Sequence, residues 1–80
     1  MSTMRRTSSR RQIAGRLKKR RLASGISQEN AAKKLRIRRN QWSRIELGLQ
    51  SIPAERLVDV CEVVNTTVAE LLNIPIPAVA

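Results

Sequence analysis

The sequence predicts an all-α chain of five short helices packed as one small domain, on three observations. Apolar residues recur at i, i+3 and i+4 in successive stretches, the spacing of one helix face. Start and stop signals punctuate those stretches: Ser27 and Thr67 suit N-caps, and Gly25, Gly48 and Asn65 suit left-handed ends. Eighty residues, finally, allow one domain and one small core.

Residues 1–11, MSTMRRTSSRR, have no apolar periodicity and read as a disordered basic arm. The first helix is expected over roughly Arg10 to Ser24, where Ile13, Leu17 and Arg21 share a face and Gly25 is a natural stop. An arginine on that inner face calls for a partner. The second helix opens at Ser27, with Gln28 and Glu29 in its first turn and Ala31, Ala32 and Leu35 directed inward. Arg36, Ile37 and Arg38 then leave three residues for a turn, as a helix-turn-helix requires. The third helix puts Trp42, Ile45 and Leu47 on its inner side and is edged with Arg39, Asn40 and Arg44 before Gly48 stops it. Trp42 is the only aromatic residue and is expected in the core.

From Leu49 the character changes. Leu49 to Ile52 form a connection, and Pro53 suits the first position of a fourth helix. That helix runs to about Val64, with Leu57, Val60, Cys61 and Val64 on one stripe. Thr67-Val68-Ala69-Glu70 is a capping box that opens a fifth helix through Leu71 and Leu72. Pro75 and Pro77 keep the apolar tail, residues 74–80, from continuing it. The helical domain is therefore assigned to residues 12–73.

Charge divides the chain. The whole carries a net +10, but residues 1–46 hold fifteen of the sixteen Lys and Arg and stand at +13, whereas residues 47–80 stand at −3. A polyanion should bind the first half, leaving the second for packing. The lone Cys61 cannot form an internal disulfide, which fits a reducing cytosol, and a cytoplasmic location is expected. No apolar run approaches the ~20 residues of a membrane span. With no histidine, no cysteine pair and no carboxylate cluster in the basic half, metal sites and nucleophile–base pairs lack components. Three glycines form no phosphate loop. Neither an enzyme nor a cofactor nor a small-molecule ligand is indicated.

The Ser27-Gln28-Glu29 opening, the small Ala32, Leu35 and Ile37 flanking the turn, and Ser43-Arg44-Ile45-Glu46 before Gly48 resemble the phage repressor and Cro (Xre-type) helix-turn-helix regulators. The likeness runs from about Ile13 to Leu72. It implies a compact five-helix, lambda-repressor-like DNA-binding fold. By that resemblance Arg39, Asn40 and Arg44, with Gln41 and Ser43 beside them, would read bases in the major groove. The side chains suit the work, since Arg forks onto guanine and Asn onto adenine. Gln28 matches a glutamine that clamps a phosphate, and Arg21, Arg36 and Arg38 are further phosphate candidates. Similar repressors pair an inner arginine with the glutamate before the glycine, here Arg21 with Glu46. They also commonly dimerise through the connection and the last helix, which points to Leu49, Ile52 and Leu72. The family usually has Gly at position 36 and a capping Ser or Thr at position 38. Arg at both should place Arg36 in a left-handed conformation and cost the third helix its cap, each about 1 kcal/mol. Ala31 where the family has Leu, and Trp42 where it has Ile or Val, suggest volume moved from one helix to the other.

The reading implied is a homodimeric, sequence-specific transcriptional regulator, most simply a repressor of a phage or mobile element, on a palindromic double-stranded operator. The arm, through Arg5, Arg6, Arg10 and Arg11, is then either a solvated tail or a further set of phosphate contacts. Small regulators of this fold also include restriction-modification controllers and antitoxins, whose toxin would need the apolar tail, and activators that touch polymerase. A protein-binding adaptor or a nonspecific nucleic-acid binder are the readings of a different class.

Overall fold

A computed structural model describes residues 9–73. Five helices follow one another: α1 (Arg10–Ala23), α2 (Gln28–Leu35), α3 (Arg39–Glu46), α4 (Leu57–Val63) and α5 (Val68–Leu72), with a 3-10 turn over Ala54–Arg56 leading into α4. Among the described residues there is no strand, and no helix is long and apolar enough to cross a membrane. Expectations for Arg5 and Arg6 of the arm, and for the tail 74–80, lie outside the described residues.

Helix α1 begins with a capping box that the reading of an arm had hidden. The Ser9 hydroxyl accepts from the Gln12 backbone N–H at 3.1 Å, and the Gln12 side chain accepts from the Ser9 N–H at 2.9 Å. Arg10 and Arg11, counted with the arm on composition, are therefore in the first helical turn.

The first four helices end alike. In each, a residue with positive φ follows the last turn: Gly25, Arg36, Gly48 and Asn65. Each also makes the paired hydrogen bonds of a Schellman ending. At Arg36 the pair is Arg36 N–H to Lys33 O at 3.1 Å and Ile37 N–H to Ala32 O at 3.0 Å. Arg36, at φ 58° and ψ 41°, is left-handed as expected, and the two bonds hold it there against the cost of its Cβ. Arg38 makes no side-chain cap for α3, so that helix starts without one.

The core is one cluster: Leu17 of α1, Ala31, Ala32 and Leu35 of α2, Trp42 and Ile45 of α3, Val60, Cys61 and Val64 of α4 and its end, and Leu71 of α5. Ala31 and Trp42 are both fully buried, the arrangement expected when volume lost on one helix is supplied by its neighbour. Two expectations need correction. Leu47 lies 63% exposed, because two positions beyond Ile45 the helical phase carries it to the side of Asn40 and Arg44. Pro53 is not helical: with ψ 138° it stands outside the 3-10 turn. That turn brings the Arg56 guanidinium within 2.6 Å of the Leu35 carbonyl, tying the start of α4 to the end of α2.

Similar ties join the two halves of the chain. Arg16 donates to Leu71 O at 2.7 Å, Arg20 to Asn65 O at 2.6 Å, and the Ser24 hydroxyl to Val64 O at 3.0 Å. Basic side chains of α1 thus satisfy carbonyls at the C-terminal ends of α4 and α5, where the helix dipole favours positive charge.

Candidate nucleic-acid interface

Helix α3 is held from beneath by a single carboxylate. Glu46 is 6% exposed and accepts from four donors on three helices. The Arg21 guanidinium forms a forked pair with it, Nε to Oε2 and Nη2 to Oε1 at 3.2 Å. Gln28 Nε2 donates to Oε1 at 2.9 Å, and Trp42 Nε1 to Oε2 at 2.6 Å. Burial alone pushes the Glu46 carboxyl up, but the hydrogen bonds from Arg21, Gln28 and Trp42, with the Arg21 charge, outweigh it and hold the group below its ordinary value. Glu46 is therefore ionised at neutral pH, and no buried side-chain polar atom among the described residues lacks a partner.

This network assigns roles that sequence reasoning had divided differently. Arg21 is 6% exposed, and its third bond goes to Ile26 O at 2.8 Å. It is an anchor between α1, the α1–α2 turn and α3, and so enclosed a guanidinium has little left for a phosphate. Gln28 is half-buried and bound to Glu46, so it orients the start of α2 against the end of α3. The Trp42 bond was missed, although a buried indole needs an acceptor and Glu46 lies one helical turn away.

On the opposite side of α3 the polar residues face out. Arg39, Asn40 and Arg44 are exposed, with Ser43 half-buried at their margin. Gln41 is placed apart from them: it is half-buried beside Ile37, Pro53 and Arg56, around a small cavity of about 40 Å³. Arg36 and Arg38 are exposed on the turn that precedes this edge. Turn and helix therefore display five basic or amide side chains together, and the backbone beneath them is fixed by Trp42, Ile45 and Glu46.

The expected dimer residues do not form one flat patch. Leu49 is 57% exposed, while Ile52 and Leu72 are half-buried in the walls of an apolar groove with Ile13, Ile45 and Leu57. Cys61 is buried, and burial pushes its thiol up, which suits a packing role over a reactive one. Among the described residues no group of three or more His, Cys, Asp or Glu is placed to hold a metal ion.

Comparison with known proteins agrees with this geometry. Two crystal structures of the clp gene regulator ClgR from Corynebacterium glutamicum are similar to the chain at 25% identity. Each match covers 80% of this chain, with 82% of one ClgR chain at a TM-score of 0.75 and 68% of the other at 0.76. No curated protein matches significantly in sequence. A family model described as a helix-turn-helix domain matches residues 12–73, most of the chain. With α2, the Arg36–Arg38 turn and α3 in place inside that span, the protein belongs to the helix-turn-helix domain family.

Proposed function

We propose that the protein is a transcriptional regulator that reads double-stranded DNA through α3, binding a palindromic operator as a homodimer and acting as a repressor. One observation carries the reading: α3 is locked by its inner face and leaves Arg39, Asn40 and Arg44 exposed together on its outer one. A rigid helix with forked donors along one edge suits base readout in the major groove. Ser43 adds a small polar contact at the margin, and Gln41 contributes from the flank. Arg36, Arg38 and the half-buried Gln28 are the phosphate contacts, and Arg21 serves them by fixing α1 to α3. The similarity to ClgR, a gene regulator by its description, supports the same class.

Leu49, with Ile52 and Leu72 behind it, is the surface for the second copy. Two recognition helices would then meet half-sites about one helical turn, ~34 Å, apart. Occlusion of a promoter would repress it, in the cytoplasm where Cys61 stays reduced. A phage or mobile-element repressor is one context that fits. The antitoxin and the restriction-modification controller share the DNA-reading step and differ in partners and genes.

Selection of bound sequences from random duplexes at ~150 mM salt tests the proposal. An enriched palindrome, lost in the Arg39→Ala, Arg44→Ala variant, is expected. Affinity without sequence preference, falling steeply with salt, would instead identify a nonspecific binder. The absence of DNA binding would identify a protein adaptor.

A further inference from the structure

An apolar concavity of the domain adjoins the point where a segment without charged side chains leaves it. Ile13 and Ala14 of α1, Ile45 of α3, Ile52, Leu57 and Leu72 line an open groove of about 260 Å³, with Arg10 at its rim. Leu72 is the last residue of α5, and Asn73, left-handed at φ 57°, turns the chain there. The segment 74–80, Ile-Pro-Ile-Pro-Ala-Val-Ala, therefore starts from the groove's own wall. It carries no charged side chain in a chain of net charge +10.

The chemistry of that segment suits an apolar cover. Proline restricts its own φ and the backbone of the residue before it, so a sequence with Pro75 and Pro77 has less chain entropy to lose on docking than an unrestricted one. They also remove two N–H donors that an apolar wall could not satisfy. Seven residues at ~3.1 Å per residue would reach at most about 22 Å from Asn73. Because the segment is tethered at Asn73, its effective concentration favours its own groove over that of a second copy.

We propose that residues 74–80 dock in cis on this groove, Ile74 and Ile76 lying against Ile13 and Ile52 and Arg10 donating to carbonyls of the segment. The docked segment, rather than Ile52 and Leu72 themselves, then forms the surface beside Leu49 that a second copy would meet. That consequence refines the dimer surface proposed above, but the docking itself does not depend on dimerisation or on DNA.

Methyl NMR on the full chain tests the proposal. Nuclear Overhauser effects are expected from the methyls of Ile74, Ile76 and Val79 to those of Ile13, Ile52 and Leu72 within one chain. They should be absent from the isotope-filtered spectrum of a mixed-label sample. No effects to the groove, or effects only between chains, would overturn docking in cis. Ending the chain at Asn73, or making Ile76→Asp in the full chain, should lower Tm by several degrees at every protein concentration. Both should also raise binding of an apolar dye; unchanged Tm and dye binding in both would overturn the proposal. Sedimentation of the same samples reads dimerisation separately, so failure of the dimer reading is distinguishable.

Discussion

On its inner face α3 presents Trp42, Ile45 and Glu46, each 6% exposed or less, whereas its outer edge presents Arg39, Asn40 and Arg44 to solvent. The inner residues are bound to α1, α2 and the core; the outer ones are held only through the backbone they share with the inner. One eight-residue helix thus separates two requirements. Its position depends on one side, and what it can touch depends on the other. Substitutions should separate in the same way, stability following the inner face and DNA affinity the outer.

The largest effect is expected from Trp42→Ala, which empties the biggest buried side chain and removes a donor to Glu46. A loss of about 3–5 kcal/mol is expected from chemical denaturation, enough to unfold much of so small a domain. Glu46→Ala should cost about 3 kcal/mol, because it leaves the Arg21 charge buried without its partner. A wild-type melting curve for that variant would break the comparison at its centre. The same network predicts a pH dependence. Since Glu46 titrates below its ordinary value when folded, its contribution is present above the unfolded-state value of ~4.3 and is lost as pH falls through the folded one. Acid unfolding of Glu46→Gln should be correspondingly flatter.

Smaller effects belong to the outer face. Arg39→Ala and Arg44→Ala should each reduce operator affinity by about 1–3 kcal/mol while leaving stability within ~0.5 kcal/mol. A large fall in Tm would show that the edge also packs. The turn offers the finest test, because Arg36 combines both requirements in one residue. Arg36→Gly should stabilise the fold by about 1 kcal/mol by relieving its left-handed backbone. If Arg36 also meets a phosphate, the same change should weaken DNA binding and reduce the salt slope by ~1.

Helix boundaries were legible because they are local. Ser27 and Thr67 cap helices through side chains three residues from their targets, and the left-handed endings at Gly25, Arg36, Gly48 and Asn65 depend on residues within one turn. The start of α1 near Arg10 was legible too, but its cap was not: the arginines after Ser9 drew the reading to charge and hid the capping box of Ser9 with Gln12. At Pro53 a residue suited to start a helix stands one step outside a 3-10 turn instead.

What the sequence by itself determined was the set of helices, the turn between α2 and α3, and the charge of the edge that α3 displays. These rest on capping, periodicity and composition, which act over one or two turns and need no knowledge of distant neighbours. Only the tertiary structure decided which polar residues were consumed in holding the domain together. Arg16 and Arg20 serve carbonyls 55 and 45 residues away, and Gln28 and Trp42 join the Arg21–Glu46 pair, which the resemblance had implied, on one carboxylate. A basic or amide side chain looks the same in sequence whether it faces solvent or a buried acceptor. Its role is settled by where packing places the acceptor, a relation between segments that no local pattern encodes.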